Sequence, residues 1–111
     1  MKVLVGQKIE VSVNDVIGKD NKELTIDSDV RIGWGMENKT PGLNICGDFE
    51  FSNDNTSIRF IAEDAGAVGQ IVIFLEQPGS EGKYFYTENI EVCNSRDLIE
   101  NVRLGVKIIE N

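Results

Sequence analysis

Apolar and polar positions alternate along the chain in short runs, which is the period of β-strands and not of helices. The first run spans residues 3–13 and has apolar side chains at odd positions, with Gly6-Gln7 as an interruption. Glycine inside a strand pattern marks a bulge or a bend. We therefore expect the chain to kink at Gly6 and to change its pairing partner there.

The strongest apolar pattern covers residues 57–76. Apolar residues alternate with polar ones as far as Ala62, an acidic corner follows at 63–66, and an unbroken apolar run extends from Ile71 to Leu75. Alternation indicates one solvated face, whereas a continuous run of this length indicates burial on both faces. This stretch is predicted to form the centre of the core, with residues 71–75 buried on both sides.

Turn signals separate the remaining runs. Residues 14–21 and 35–42 predict loops by their Asn, Asp, Gly and Pro content, and Pro78-Gly79 predicts a hairpin turn within residues 77–83. Beyond this turn four apolar or aromatic positions share one parity, and the pattern places them on one strand face: Tyr84, Tyr86, Ile90 and Val92. With no helical period before residue 95, the pattern predicts an all-β antiparallel sandwich of about seven to nine strands over residues 1–94.

The C-terminal segment, residues 95–111, departs from this pattern. Ser95-Arg96-Asp97 predicts one capped helical turn, and apolar residues beyond it alternate as in a strand. Two interpretations stay open: one more strand on the chain's own sandwich, or an arm that adds a strand to a neighbouring subunit. The candidate interface residues are Leu98, Ile99, Val102, Leu104, Val106 and Ile108.

The corner Asp64-Ala65-Gly66, placed before a long apolar strand, resembles the turn that enters the sixth strand of immunoglobulin-like domains. The number of strands and the early Trp34 are similar too. The chain has Val68 and Gln70 where that family has Tyr and Cys, so the family's inter-sheet disulfide is not expected. The resemblance implies an Ig-like sandwich of bacterial or phage type, with Asp64 and Gly66 shaping the corner.

The charge balance narrows the choice of partners. The net charge is −8, from 19 acidic and 11 basic residues. Nucleic acids and anionic membranes bind proteins through clustered Lys and Arg, so this charge argues against both as partners. Residues 40–94 hold nine acidic side chains against only Arg59 and Lys83. This excess predicts an acidic solvated surface, with an acidic docking face or nucleic-acid mimic as the alternative.

The chain begins with a segment that turns polar after five residues and offers no small-residue cleavage site, and it contains no apolar run of membrane-spanning length. We expect it to be made in the cytoplasm without a signal peptide. Cys46 and Cys93 are then expected to remain buried thiols. With no histidine in the chain, a standard zinc site and Ser-His or Cys-His nucleophile pairs are excluded.

The other residues that could serve in catalysis, metal binding or sugar binding are more simply explained by their positions in strands and loops. The carboxylate pairs Asp27/Asp29 and Asp48/Glu50 alternate on strands and are expected to face solvent. Asn- and Asp-rich loops at 15–21 and 53–55 match no calcium-loop spacing. Trp34 shares its parity with Val30 and Ile32, which favours the core over an exposed surface for sugar stacking.

From these observations we expect no catalytic, cofactor or metal site. The leading hypothesis is a non-enzymatic structural or protein-interaction module, similar to the small auxiliary or decoration proteins of phage capsids and tails, and therefore virion-associated. Its partners would be other protein subunits, either capsid subunits or copies of itself joined through the C-terminal segment. The alternatives are a bacterial surface adhesin or carbohydrate-binding module, favoured by an exposed Trp34, and a small acidic inhibitor protein.

Overall fold

The computed structural model describes residues 1–26, 29–94 and 102–109. The regular structure in these ranges is β-strand apart from a single 3₁₀ turn at Lys19–Asn21, which confirms the all-β prediction. No helix in the described ranges is long and apolar enough to cross a membrane. The strands are β1 (Lys2–Leu4), β2 (Lys8–Ser12), β3 (Val16–Ile17), β4 (Glu23–Leu24), β5 (Arg31–Asn38), β6 (Glu50–Phe51), β7 (Ser57–Ile61), β8 (Val68–Glu76), β9 (Lys83–Tyr86) and β10 (Ile90–Cys93).

The strands form two open sheets and a small hairpin. The larger sheet has the order β1-β10-β8-β5, and β9 also pairs with β8. It is mixed, because β1 runs parallel to β10 while the other pairs are antiparallel. The smaller sheet has the antiparallel order β2-β7-β6, and β3 pairs with β4 alone.

The chain changes sheets at Gly6, as its sequence pattern predicts. Val5 N donates to Cys93 O in the larger sheet at 3.0 Å, and Gly6 N donates to Ala62 O beside the smaller sheet at 2.8 Å. Gly6 has φ +84°, a backbone conformation that side chains with a Cβ rarely adopt. One alternating run therefore supplies an edge strand to each sheet.

The core lies between the two sheets and receives side chains from both. The larger sheet contributes Ile71 and Val92 among others, the smaller sheet contributes Ile58 and Phe60, and Phe60 is 2% exposed. The stretch 57–76 is central to this core, as predicted, with β7 in the middle of one sheet and β8 inside the other. The acidic corner between them turns at Gly66, which has φ +89°.

The predicted burial of residues 71–75 on both faces is wrong. Only Ile71 is buried in this run, and both the outer-face residues Val72 and Phe74 and the inner-face residues Ile73 and Leu75 are partly exposed. Val72 and Phe74 pair with Gly35 and Gly33 of β5, which have no side chains to cover them. No further layer lies over this face in the part of the chain that the structure describes, so the run is apolar without being enclosed.

The predicted common face of Tyr84, Tyr86, Ile90 and Val92 is also wrong. Both tyrosines are exposed, whereas Ile90 and Val92 are buried. Thr87 N donates to Ile71 O, and Ile90 lies opposite Gly69. The four residues 87–90 therefore lie opposite only three residues of β8, 69–71. This β-bulge at residues 88–89 exchanges the two faces of the strand, because side chains alternate with a period of two.

The loop predicted at 35–42 begins four residues later than expected, at residue 39. Strand β5 continues to Asn38, with Glu37 opposite Gln70 and Asn38 opposite Gly69. The length of β8 explains the difference, because it provides a pairing partner for the whole of residues 31–38. The polar composition of this stretch reflects its exposed face and not a loop.

We expect Gly69→Ala to lower the free energy of unfolding by about 2 kcal/mol, the usual range for overpacking. A Cβ at Gly69 would lie 2.6 Å from the backbone oxygen of Glu37 and 3.1 Å from Ile45 Cγ2. The backbone of β5 or β8 therefore has to shift to make room for the methyl group. Gly35→Ala is the matched control, since a Cβ there meets nothing within 4 Å. Urea unfolding of the two variants measures the difference, and equal losses would contradict the close approach at Gly69.

Candidate interaction site

Residues 102–109 form an exposed segment that belongs to neither sheet. The exposed fractions of its alternating aliphatic residues are 68% for Val102, 84% for Leu104, 96% for Val106 and 85% for Ile108. Among the described residues the segment therefore pairs with no strand of either sheet. The other two candidate interface residues, Leu98 and Ile99, and the predicted helical turn at 95–97 lie outside the described residues.

This segment has two different faces when it is extended. Val102, Leu104, Val106 and Ile108 lie on one side, and Arg103, Gly105 and Lys107 lie on the other. Residues 102–109 include two basic and no acidic residues. Because residues 95–111 hold three charges of each sign, residues 1–94 carry the whole net charge of −8. The segment and the body are thus electrostatically complementary.

Strand β9 together with Thr87 has an open side, which we call the β9 edge. Thr87 N donates to Ile71 O at 3.0 Å, and Ile71 N donates to Thr87 Oγ1 at 3.0 Å. Since backbone amides alternate in direction along a strand, those of Tyr84 and Tyr86 point away from β8. In the described part of the chain, no strand lies along that side of β9.

β1 lies beside β10 and not beside β9. It runs along the outer side of β10, with Lys2 opposite Glu91, and the amine of Met1 donates to Asn89 O at 2.9 Å. Among the described residues no strand lies along this side of residues 83–87, a length that matches about five residues of another extended segment.

An open cavity lies beside the β9 edge on the inner side of the sheet, lined by apolar residues and also by Lys19, Gln77, Ser80, Glu81 and Lys83. Its volume is about 500 Å³, and it lies between the β3-β4 hairpin and strands β8 and β9. Ile17 is 59% exposed and Phe85 is 49% exposed there. The apolar residues that line it are Val16, Ile17, Leu24, Val30, Leu75 and Phe85.

The outer side of the β9 edge is aromatic. Tyr84 is 63% exposed and Tyr86 is 53% exposed. The ring centroids of Tyr84 and Phe74 lie 4.9 Å apart with a tilt of 44° between the planes. Contiguous exposed apolar surface of this kind marks interaction sites more often than single exposed residues do. The parity pattern of the sequence placed both tyrosines on the same face as buried residues, and so missed this surface.

The free side of β5, the strand at the opposite edge of the larger sheet, is partly covered. Asn55 Nδ2 donates to Ile32 O at 2.9 Å, and Trp34 Nε1 donates to Asn55 O at 3.1 Å. Near the other end of the strand, Ile45 N donates to Asn38 Oδ1 at 3.0 Å. Trp34 packs against the core, as predicted, and its ring is therefore not a free platform for a sugar.

The polar loops considered for metal binding have structural roles. Asp54 accepts hydrogen bonds from Thr56 Oγ1 and Ser52 Oγ, both at 2.8 Å, and these bonds hold the pKa of its carboxyl below the usual range. Asp29 accepts a bond from Thr25 N at 2.8 Å. Among the described residues no three Asp, Glu or Cys side chains come together as a metal site.

The carboxylates considered as pairs lie on the surface where the structure describes them. Asp48 and Glu50 are both exposed, as predicted. Glu50 Oε2 lies 3.3 Å from Lys8 Nζ across the smaller sheet, in an exposed ion pair of small energetic weight. Asp27 lies outside the described residues, so the pair it was predicted to form with Asp29 is not described.

Cys46 and Cys93 are both free and buried, which confirms the expectation of two thiols without a disulfide. Burial, together with a smaller contribution from the negative charge of Glu63, raises the pKa of Cys46 to about 11. Cys46 Sγ lies 3.3 Å from Met36 Sδ inside the core. The thiolate form of Cys46 is therefore scarce at neutral pH, and the side chain acts as a small apolar group.

We expect neither cysteine to react with iodoacetamide in the native protein at pH 8, because both side chains are buried and the raised pKa of Cys46 leaves little thiolate. Mass spectrometry after a short reaction should show the unmodified mass. The same reaction in concentrated urea is the control and should add two carbamidomethyl groups. A native adduct on Cys46 would contradict its placement in the core.

Comparison with known proteins provides no further identification. A scan against profiles of known protein families finds no match, and a search of curated proteins finds no relative.

Proposed function

We propose that the chain is a non-enzymatic protein-interaction module, and that copies of it assemble through residues 102–109. The observation that supports this most is the exposure of four alternating aliphatic side chains in one short segment, between 68% and 96% for each. Apolar surface in water is unfavourable, and burial against another subunit removes that cost. The segment is also opposite in charge to the rest of the molecule.

The energies involved favour strand addition over simple apolar contact. Burying the four side chains contributes about 1.5–3 kcal/mol each, whereas association costs on the order of 4–15 kcal/mol in lost freedom. Apolar contact alone therefore leaves little surplus. Main-chain hydrogen bonds to an open sheet edge, together with complementary charges, supply the difference and fix the register.

The proposal extends to the finer fold and to the biological setting. Two open sheets that share one core and a corner turned at Asp64–Gly66 support an Ig-like sandwich of bacterial or phage type. A small module of this kind, with an arm that joins subunits, suits a repeated lattice such as a phage capsid or tail. Virion association is the setting that we propose on these grounds.

Light scattering on the full chain and on a chain shortened to end at Asn94 tests the proposed function. We expect the full chain to gain mass with rising concentration and the shortened chain to stay monomeric with an unchanged melting temperature. A full chain that stays monomeric at millimolar concentration would contradict assembly. A shortened chain that associates as well would show that the contact lies elsewhere.

A further inference from the structure

We infer that the acceptor for residues 102–109 is the β9 edge of a second copy of the chain, where the segment adds one strand to the larger sheet. This inference rests on the proposed function and specifies its partner and its surface. The arriving segment lies along Lys83–Thr87, on the side of β9 where no strand of the described residues pairs. Four observations support it, concerning the backbone, the two faces of the edge and the other edges.

The backbone of the β9 edge is ready for a further strand. Phe85 and Thr87 direct their amides to β8, as the bond from Thr87 N to Ile71 O shows. Tyr84 and Tyr86 direct theirs outward, so both offer an N–H and a C=O to an arriving strand. β-Augmentation uses this arrangement, because main-chain bonds give the affinity and side chains give the specificity.

The inner face of the edge matches the apolar face of the segment. Phe85 lies on the same side of the sheet as Leu75 and borders the cavity of about 500 Å³. When Leu104 or Val106 lies opposite Phe85, the aliphatic side chains of the segment enter that cavity, next to Ile17. A shift of one residue would turn these side chains to the outer face and leave the cavity unfilled, so the register is specified.

The outer face of the edge matches the basic face of the segment. In the same register Arg103, Gly105 and Lys107 lie on the side of Tyr84 and Tyr86. Cationic side chains are attracted to the faces of aromatic rings, and Gly105 leaves room for the ring beside it. The acidic body adds long-range attraction, because residues 1–94 carry the whole net charge of −8.

The segment does not occupy this edge in its own chain. Leu104 and Val106 are 84% and 96% exposed, and the molecule is 81 Å long but only 35 and 24 Å across. In one chain Leu104 and Val106 are thus exposed, no described strand lies along the outer side of β9, and the two surfaces are complementary between two chains. Reciprocal exchange closes a dimer with two identical contacts, which is the commonest symmetry of homo-oligomers.

The other sheet edges are less suited to the segment. At β5 the side chain of Asn55 already occupies the carbonyl oxygen of Ile32. At β2 the ion pairs of Lys8 with Glu50 and of Glu10 with Arg59 place charges on the exposed face, and charged edges resist strand addition. Apolar side chains of the segment would meet these charges, because Lys8, Glu50 and Arg59 also line the cavity beside β2.

Tyr86→Pro in the full chain tests the acceptor. Proline removes the outward N–H of residue 86 without removing a bond to β8, and an edge strand tolerates it at such a position. We expect the variant to stay monomeric at concentrations where the unaltered chain associates. Tyr86→Thr is the matched control, since it keeps the N–H and a strand-forming residue, and it should associate with an affinity reduced less than about tenfold.

Mixing two variants tests the same assignment from both sides. Tyr86→Pro keeps a functional segment, and the apolar-face variant (Leu104→Ser with Val106→Ser) keeps a functional edge. We expect each to be monomeric alone and the mixture to form a 1:1 complex by light scattering. If circular dichroism shows that Tyr86→Pro does not fold, Ile17→Asp replaces it in the experiment. Ile17 is exposed and borders the cavity, so a carboxylate there should prevent the aliphatic side chains of the segment from entering the cavity.

The outcomes separate this inference from the proposed function. An unaltered chain that never associates contradicts both. If the unaltered chain associates and a folded Tyr86→Pro or Ile17→Asp variant associates equally well, the β9 edge is not the acceptor. That result contradicts this inference and leaves the proposed assembly intact. Loss of association in these variants, with retention in Tyr86→Thr and recovery in the mixture, supports the assignment.

Discussion

Phe60→Ala is expected to lower the free energy of unfolding by about 4 kcal/mol, within the range for removal of a buried phenylalanine. Phe60 is only 2% exposed and is the largest of the fully buried side chains. It lies on the central strand of the smaller sheet and its ring centroid is 6.2 Å from that of Phe49. The substitution leaves a cavity where both sheets meet, and urea unfolding followed by circular dichroism measures the loss.

Phe51→Ala is the matched control for this prediction. Phe51 lies on β6 beside β7, contacts Phe49 edge to face at 6.1 Å between ring centroids, and is 58% exposed. Its removal should cost less than about 1 kcal/mol, as is usual for surface substitutions. Similar losses for Phe60 and Phe51 would contradict a core centred between the two sheets.

The apolar-face variant, Leu104→Ser with Val106→Ser, is expected to weaken self-association at least a hundredfold. Each aliphatic side chain contributes about 1.5–3 kcal/mol when it is fully buried, and 1.4 kcal/mol corresponds to a factor of ten in affinity. Because both residues are more than 80% exposed in the single chain, their replacement should leave the melting temperature of the monomer unchanged. Light scattering over a concentration series gives the dissociation constants.

The basic-face variant, Arg103→Ser with Lys107→Ser, provides the comparison. It should weaken association by roughly tenfold or less, because exposed charge pairs contribute about 0–1 kcal/mol each. Its affinity should also depend less on salt than that of the unaltered chain. A basic-face variant that loses more affinity than the apolar-face variant would mean that charge, and not apolar burial, holds the copies together.

The sequence predicted those parts of the fold that depend on neighbouring residues. The kink at Gly6 follows from a glycine inside an alternating run, and the turn at Pro78-Gly79 follows from residues that favour turn geometry; Gly79 has φ +80°. The core position of Trp34 follows from its parity with Val30 and Ile32. In each case the signal lies within a few residues of the feature it predicts.

The errors arise where the structure depends on distant segments. The bulge at 88–89 is set by the pairing of Thr87 with Ile71 and of Ile90 with Gly69, and neither pairing is visible in the strand itself. The partial exposure of Val72 and Phe74 depends on what covers the sheet, which an apolar run does not reveal. The cap that Asn55 provides for Ile32 O joins residues 23 positions apart.

The same distinction applies to the candidate site. The apolar and basic faces of residues 102–109 are visible in the sequence, because alternation is a local pattern. The acceptor is not visible there, since it depends on which strands pair with β9 and on the bulge that turns Tyr84 and Tyr86 outward. A change in the alternation of side chains between Tyr86 and Ile90 would have been the signal for the bulge, and hence for the exposed aromatic edge.

An NMR titration of the apolar-face variant with the octapeptide of residues 102–109 tests strand addition at the β9 edge directly. We expect the peptide to shift the backbone amides of Tyr84 and Tyr86 and the side chains around Ile17, while a scrambled peptide of the same composition does not. Shifts confined to β5, β2 or β6, or no shift at millimolar peptide, would contradict strand addition at the β9 edge.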